Sequence, residues 1–184
     1  MKITKTELND VVIIEPSIFG DERGYFYESY NKQKFDNAIG EDIIFVQDNI
    51  SLSQKGVLRG LHYQASPYSQ GKLLSCLEGE IFDVVVDIRR NSPTFKKWIG
   101  VILNDINKKS IWIPKGFAHG FLTMSDLAKV CYKVTDFYNP NSERIIIWND
   151  TDINVAWPEM EHKIISEKDL LGVSLKLSEL YDEQ

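Results

Sequence analysis

The sequence predicts an all-β protein built as an antiparallel sandwich or barrel. Short runs rich in β-branched and aromatic residues recur along the chain, turn-forming residues separate them, and few stretches have helical periodicity. The composition, 43% hydrophobic and 26% charged, is that of a globular chain, and 184 residues suffice to bury one core. We therefore expect one domain over residues 1–184, with N-terminal strands and a C-terminal helical tail packed on it.

Each expected element follows from local composition. The β-rich runs fall at residues 11–15, 24–30, 43–53, 57–63, 72–77, 81–88, 98–103, 110–113, 120–123, 130–135 and 145–148. Turn signals stand between them at 54–56, 78–79, 91–93, 104–107 and 139–141. Residues 32–38 fit one or two helical turns. The tail from Ser166 onward is expected to mix helix and loop, with Ser166 as an N-cap.

Charge and targeting signals narrow the partners. The chain has 21 Lys and Arg against 27 Asp and Glu, a net charge of -6, which argues against nucleic acid as the main partner. A small phosphorylated ligand needs only a few local cations and stays open. No stretch is long enough for a signal peptide or a membrane span, so we expect a cytoplasmic protein without a membrane partner. Cys76 and Cys131 lie in apolar runs and match no metal or redox spacing.

Strand parity sorts several polar residues. In one strand Gln47, Asn49 and Ser51 share a face, and the opposite face is mostly apolar. Later in the chain Tyr132 and Tyr138 share a face, if that strand runs so far. Both faces have the residue types to line a ligand cavity. Polar faces of antiparallel sheets commonly meet solvent, however, and parity alone favours the solvent-facing interpretation.

The segment around His62 does not fit simple alternation. Strict parity places Arg59 and His62 on opposite faces of their strand. A shared site would need a bulge or kink between them, and Gly60 is a natural place for one.

The histidines raise the question of a metal. Residues 56–62 and 113–119 resemble the two motifs of the cupin jelly roll, with His62 and His119 at their ends. In metal-binding cupins the first motif supplies a second histidine two positions on, where this chain has Gln64. Two imidazoles and a neutral amide make a poor ligand set, so no metal site is expected.

Without a metal, the histidines need another explanation. His162 is expected to be an ordinary hydrogen-bonded residue. His62 lies near Arg59 and Lys72 in sequence, and nearby cations disfavour the imidazolium. A neutral imidazole is a candidate general base, and such a base commonly rests on a carboxylate that the sequence alone does not identify.

A series of motifs together identifies a family. The runs FGDERGYFYE (19–28), GVLRGLHYQ (56–64), FDVVVDIR (82–89) and IPKGFAHGF (113–121) resemble the dTDP-4-dehydrorhamnose 3,5-epimerase family. The match continues at residues 47–49, 70–73, 92–95, 132, 143, 148–150, 157–158 and 166–169. It runs in order over nearly the whole chain, so the series is specific although each motif alone is weak.

The resemblance implies a cupin-type jelly roll, a homodimer, and an enzyme without metal or organic cofactor that acts on a dTDP-linked sugar. Carried over position by position, His62 is the proton-abstracting base and Asp169 its carboxylate partner. Tyr132 is the proton donor on the opposite side of the sugar, and Lys72 lies near the 4-keto oxygen.

The resemblance also implies a set of substrate-binding positions, part of which comes from the partner subunit. They are Arg23, Phe26, Glu28, Gln47, Asn49, Arg59, His119, Tyr138, Glu143 and Lys168, of which Phe26 and Tyr138 are aromatics around the thymine. Lys168 stands where the family commonly has arginine.

These residue types suit the implied chemistry. Inverting a carbon next to a ketone removes a C–H proton and returns one to the other face, through an enolate whose oxygen Lys72 would stabilise. A neutral His62 suits the base, and Tyr132, with a reference pKa of ~10, keeps a proton to donate. The alternatives are an epimerase that inverts one centre or takes another nucleotide sugar, a metal-dependent cupin oxygenase, and a non-catalytic sugar-nucleotide binding module.

Overall fold

The computed structural model describes residues 1–182, and most of its regular structure is β-strand. The strands are β1 (Lys2–Lys5), β2 (Val12–Glu15), β3 (Ile18–Asp21), β4 (Gly24–Tyr27), β5 (Gln47–Gln54), β6 (Val57–Gln64), β7 (Lys72–Glu78), β8 (Glu80–Asp87), β9 (Trp98–Asn104), β10 (Ser110–Ile113), β11 (Phe117–Thr123), β12 (Leu127–Val134), β13 (Glu143–Ile145) and β14 (Ile164–Ile165). The helices are α1 (Lys32–Ile39), α2 (Glu167–Leu170) and a 3₁₀ turn at Leu175–Leu177.

Two sheets form a sandwich, which confirms the predicted all-β fold. Sheet I has the strand order β1-β2-β10-β7-β12-β5. Sheet II has the order β13-β6-β11-β8-β9, and β14 joins it beside β6 as its parallel strand. The neighbours within each main path are antiparallel, and β3 and β4 form a separate hairpin. Because most neighbours in the sheets are distant in sequence, tertiary contacts rather than local hairpins define this order.

The main core lies between the two sheets. Leu74 and Val130 from sheet I meet Ile81 and Val85 of sheet II, and these four residues are at most 1% exposed. Burying a side chain of this size contributes about 1.5–3 kcal/mol relative to leaving it in water. This packing holds the sheets together at one end of the sandwich and leaves room between them at the other.

Other elements cover the outer faces of both sheets. Helix α1 places Phe35 against Trp112 on the outside of sheet I. Its first turn is capped by the side chain of Asn31, and it ends at Gly40, whose φ of 85° suits glycine. The chain after β13 covers sheet II and buries Ile153 and Leu175 there. Strand β11 is therefore buried along its full length.

Some boundaries differ from the expectations. The run at 43–53 begins as a strand only at Gln47, because the preceding segment packs Phe45 into the aromatic cluster around Phe35. The run at 145–148 is wrong: β13 ends at Ile145, and the chain then turns away to pair with the segment after α2. Strands β1, β3 and β14 were not expected, since each is short and mostly exposed.

Smaller expectations agree with the structure. Ser166 caps α2 as predicted, accepting a hydrogen bond from the Asp169 N–H at 3.1 Å. Cys76 is buried, Cys131 is half-buried, and both are free thiols. Across residues 1–182, no helix has the length and apolar character needed to cross a bilayer.

Candidate active site

A cleft opens between the two sheets where the core ends. It consists of two adjoining cavities of about 320 Å³ and 220 Å³ that share His62, Lys72, Tyr132 and Glu143 in their walls. We call this combined space the cleft. Its size fits a small ligand held between two β-sheet walls.

One wall of the cleft comes from sheet I. Gln47, Asn49 and Ser51 of β5 face inward, and Asn49 lies directly opposite Tyr132 of β12. The solvent-facing interpretation of these polar residues was therefore wrong, because the sandwich encloses a polar cleft instead of a continuous apolar core. The apolar face of β5 points outward, where Ile50 is 68% exposed.

The other wall comes from sheet II, and Gly60 shapes it. Arg59 and His62 both line the cleft despite their strand parity. The pairing of β6 with β11 shifts register at this point, and Gly60 has a φ of 123°. A Cβ on Gly60 would lie 2.6 Å from the Gly120 Cα, so only glycine allows this approach. The expected irregularity at Gly60 is confirmed.

His62 rests on a carboxylate from the far end of the chain. Its Nε2 lies 2.6 Å from Asp169 Oδ1, which leaves Nδ1 as the ring nitrogen able to exchange a proton. The backbone N–H of Gly60 donates to the other carboxylate oxygen at 3.3 Å. Burial would raise the pKa of Asp169, but the bonds and charge of His62 and the Gly60 N–H hold it below its usual value.

Lys72 and Tyr132 extend from sheet I into the cleft. Burial lowers the pKa of Lys72 to about 8, against the opposing charges of Asp83 and Glu143. Burial also raises the pKa of Tyr132, although the nearby Arg59 guanidinium opposes the shift. At neutral pH the ammonium therefore keeps its charge and the phenol keeps its proton.

His119 forms a second imidazole–carboxylate pair, within sheet II. Its Nε2 lies 2.7 Å from Oδ2 of Asp83, a residue of β8 that is wholly buried. His119 also lies opposite His62 in the pairing of β11 with β6. The two histidines therefore approach the same cleft from neighbouring strands, each backed by its own carboxylate.

Three glutamine side chains hold the loop that carries Tyr138. Gln64 donates to the carbonyl oxygens of Tyr68 and Phe137, at 2.6 and 3.2 Å, and accepts from the Asn139 N–H. Gln70 donates to the Asp136 carbonyl at 2.7 Å, and Gln47 accepts from the Tyr138 N–H at 3.2 Å. Strand β12 ends at Val134, so this loop, rather than strand alternation, brings Tyr138 to the cleft.

Glu143 ties this loop to helix α2. The Tyr138 hydroxyl donates to Glu143 Oε2 at 2.8 Å, and the Lys168 ammonium donates to the same oxygen. Burial would raise the pKa of Glu143, but the hydrogen bonds from Lys168 and Tyr138 lower it. This three-residue contact joins the mouth of the cleft to the helix that supplies Asp169.

Arg59 has its own anchor inside the cleft. Its Nε donates to the hydroxyl of Ser53 on β5 at 3.0 Å, which fixes one edge of the guanidinium. The rest of the planar fork is suited to paired contacts with phosphate oxygens.

Three expected binding residues lie outside the cleft of this chain. Arg23 and Phe26 are on the β3–β4 hairpin, where the side chain of Arg23 is 85% exposed and Phe26 is 70% exposed. Glu28 follows the hairpin and pairs with Lys34 at 2.8 Å. The other expected residues, His62, Tyr132, Lys72, Asp169, Gln47, Asn49, Arg59, His119, Tyr138, Glu143 and Lys168, line the cleft or contact residues that do.

Two further expectations concern the third histidine and the absence of a metal site. His162 is an exposed residue, as expected for an ordinary histidine. Within the part of the chain that the structure describes, no group of three or more His, Cys, Asp and Glu side chains is arranged to hold a metal ion. Gln64, at the position of the cupin metal ligand, binds backbone instead.

Sequence reasoning missed several residues of the site. Asp83 is the most consequential, and its signal was a single carboxylate within an apolar run that alternation alone would bury. Ser53 and Gln70 act on residues of the site through hydrogen bonds. Ser53 had no signal that distinguished it from other polar strand residues, and Gln70 lies in a matched motif without an assigned role.

The β-sandwich and a cleft that brings together a carboxylate-backed imidazole, a buried lysine and a tyrosine match the class that the sequence motifs indicate, a cupin-type epimerase of nucleotide sugars. A curated dTDP-4-dehydrorhamnose 3,5-epimerase from Shigella flexneri is 55% identical over 172 residues, covering 94% of each chain. The family model for dTDP-4-dehydrorhamnose 3,5-epimerase matches residues 5–176. The chain belongs to this family.

Solved structures agree with this assignment. The crystal structure of dTDP-6-deoxy-D-glucose-3,5-epimerase RmlC from Legionella pneumophila, in complex with dTDP-4-keto-L-rhamnose, gives a TM-score of 0.96 at 50% identity and covers 100% of this chain and 98% of that one. ChmJ from Streptomyces bikiniensis, a 3'-monoepimerase in complex with dTDP-quinovose, gives 0.89 at 32% identity, with 93% and 86% covered. The chain is thus more similar to the double epimerase.

Proposed function

We propose that this protein inverts C3 and C5 of dTDP-4-dehydro-6-deoxy-D-glucose to give dTDP-4-dehydro-L-rhamnose. The observation that carries the proposal is the position of His62 and Tyr132. They extend from opposite sheets, line the same two cavities, and have Lys72 beside them. A flat sugar ring between the sheets would meet the imidazole on one face and the phenol on the other.

His62 acts as the base. The Nε2 contact with Asp169 at 2.6 Å fixes the ring and stabilises the imidazolium once the proton is taken. Asp169 is only 3% exposed, so water competes little for this contact. Its lowered pKa keeps it ionised over the range in which an imidazole works as a base.

Lys72 stabilises the enolate oxygen. Removing a proton next to the 4-keto group moves charge onto that oxygen, and a preorganised cation in a buried site is typically worth about 3–4 kcal/mol to such a transition state. Because C3 and C5 both flank the same ketone, one lysine serves both proton transfers. Its pKa of about 8 leaves it charged at neutral pH.

Tyr132 returns the proton from the opposite face. A single group on one face would tend to restore the original configuration, so inversion needs a second group. Burial raises the pKa of Tyr132, which keeps the hydroxyl protonated until the enolate accepts its proton.

The nucleotide part is proposed to lie toward the mouth of the cleft. Arg59, anchored by Ser53, and Lys168 supply cations for the diphosphate, and Tyr138 offers an aromatic face for the base. Gln47 and Asn49 offer both donors and acceptors, as a pyrimidine edge requires.

We further propose a homodimer in which the partner subunit completes the site. Arg23, Phe26 and Glu28 lie outside the cleft of their own chain, on or next to an exposed hairpin, and are proposed to line the cleft of a second copy. The hairpin exposes Phe19 at 66%, and the outer face of edge strand β5 exposes Ile50 at 68%. Apolar residues exposed on a hairpin and an edge strand are suited to cover each other across a two-fold axis.

The reaction is tested by incubating the substrate in heavy water and following deuterium at C3 and C5 by NMR. Label at both carbons with formation of the L-rhamno product supports the proposal. Label at one carbon only would favour the single-centre alternative. Binding without any exchange would favour a non-catalytic module. His62→Ala should abolish exchange at both carbons while nucleotide binding survives.

The shared site is tested by mixing two inactive variants. In a 1:1 mixture of His62→Ala and Arg23→Ala chains, about half of the two-fold dimers contain one chain of each kind. If Arg23 acts across the interface, each mixed dimer has one intact site, so about a quarter of all sites become active. No recovery after mixing by unfolding and refolding would place both residues in one chain. Sedimentation of each variant provides the control for dimer formation.

A further inference from the structure

The two carboxylate oxygens of Asp83 differ in their hydrogen bonding within the described part of the chain. Oδ2 binds His119 at 2.7 Å, whereas Oδ1 is buried and has no hydrogen-bond partner among residues 1–182. Asp83 is 0% exposed, and an unpaired carboxylate oxygen in such a place is costly unless a cation compensates it. The contact with His119 therefore accounts for only one of the two carboxylate oxygens of Asp83.

Lys72 of sheet I and Arg59 of sheet II both line the smaller cavity together with His119, the residue that Asp83 backs. Arg59 is already anchored through its Nε to Ser53, and Lys72 is the cation on which the Asp83 charge acts. The other ionisable and charged groups that line the cleft with Lys72 are Arg59, His62, His119, Tyr132, Tyr138 and Glu143. Of the two acidic residues near Lys72, Glu143 is already paired with Lys168 and Tyr138, and Asp83 is the one with a free oxygen.

We infer that Asp83 is a positioning residue whose buried negative charge keeps Lys72 protonated, so that the ammonium can stabilise the enolate up to mildly alkaline pH. This inference rests on the proposed function. Asp83 and His119 lie on neighbouring strands of sheet II, and Lys72 extends into the same cleft from sheet I. Asp83 is not among the residues that line either cavity of the cleft, and it acts through Lys72.

The balance of effects at Lys72 supports this role. Burial is the larger influence and pulls its pKa down to about 8, and the charge of Asp83 is the first of those opposing it. Without that charge, the lysine would lose its proton nearer to neutral pH. Catalysis would then fall at lower pH, while the limb set by the base His62 would stay in place.

The test compares pH profiles of kcat for the full-length enzyme and Asp83→Asn. We expect the alkaline limb of the variant to move down by about 1 pH unit, as for removal of a close opposite charge. His119→Gln is the matched control, because it keeps the carboxylate and a donor facing it. Its activity is expected to fall, but its alkaline limb is expected to stay. An unchanged limb in Asp83→Asn, or equal shifts in both variants, would overturn the inference.

A direct measurement guards against a variant that does not fold. The ¹³Cε signal of Lys72, assigned with Lys72→Met, is titrated in the wild-type protein without substrate, where a midpoint near pH 8 is expected. The same titration of Asp83→Ser, a smaller replacement, is expected to give a lower midpoint because the opposing charge is gone. An equal or higher midpoint in Asp83→Ser would overturn the inference. Failure of the proposed function would instead appear as a wild-type enzyme that exchanges neither carbon, whatever the titration shows.

Discussion

The substitution Asp169→Asn tests the dyad at the centre of the mechanism. Asn has nearly the same shape as Asp and leaves the contact of 2.6 Å with His62 sterically intact, but it removes the charge. The amide can either accept a hydrogen bond from the imidazole or donate one to it, so it no longer selects one imidazole tautomer. The change therefore isolates the electrostatic part of the Asp169 contribution.

The expected magnitude follows from the burial and geometry of the contact. A hydrogen bond to a charged group contributes about 1.5–3 kcal/mol. Asp169 is 3% exposed, so solvent weakens the interaction little and the upper part of this range applies. Because ~1.4 kcal/mol is a factor of ten in rate, proton abstraction should slow by about 40- to 150-fold. Loss of the correct tautomer adds to this effect, so the range is a lower bound.

The assay is deuterium incorporation at C3 and C5 under saturating substrate, with nucleotide affinity measured separately. We expect both carbons to slow together, since one base serves both, while affinity for dTDP is retained. Glu167→Gln is the matched control, because it neutralises an exposed carboxylate on the same helix and should stay within about twofold of wild type. An Asp169→Asn enzyme within about threefold of wild type would refute the role of the dyad.

Further predictions concern other parts of the site and the fold. Tyr132→Phe should slow inversion more than proton loss, measured as product formation against deuterium exchange, and equal losses would argue against a donor on the opposite face. Glu143→Gln should raise KM by about tenfold with a smaller change in kcat, because a charge-assisted contact at the cleft mouth is lost, and steady-state kinetics checks the split. Gly60→Ala should lower the free energy of unfolding, measured in urea, by more than about 3 kcal/mol. Gly24→Ala is the control: it also has a positive φ, but a Cβ there meets nothing within 4 Å, so it should show only the smaller cost of the backbone conformation. Because the pKa of Asp169 is lower in the folded protein than in the unfolded chain, its ionised carboxylate stabilises the fold fully above about pH 4. This stabilisation is lost as the pH falls through the pKa of the folded state, so the difference in unfolding free energy between wild type and Asp169→Asn should become smaller in acid.

Much of the fold could be predicted from the sequence because β-rich runs and turns are local signals. Strand β10 was predicted with its observed limits, and Ser166 was recognised as the cap of α2 from its own residue type. The irregularity at Gly60 was also predictable, since two polar residues on opposite faces can share a site only if the strand departs from alternation. The short exposed strands were missed because their few residues carry little pattern.

The interior of the cleft was harder to predict. Parity showed that Gln47, Asn49 and Ser51 share a face, but it did not show whether that face meets water or an enclosed space. That distinction depends on whether a second sheet stands opposite, and sheet packing brings together strands that are far apart in the chain. The partner of His119 could not be predicted either, because Asp83 is 36 residues away in sequence and meets it only through strand pairing.

The amino-acid sequence by itself determined the β-rich architecture, the residue types of an epimerase site and the family to which they point. Only the tertiary structure decided which carboxylate backs which imidazole, which face of β5 is internal, and which expected binding residues lie outside the cleft. Local composition sets strands and turns through short-range sterics and alternation. Contacts such as His62 with Asp169, 107 residues apart, exist only after two sheets and a C-terminal helix have packed together.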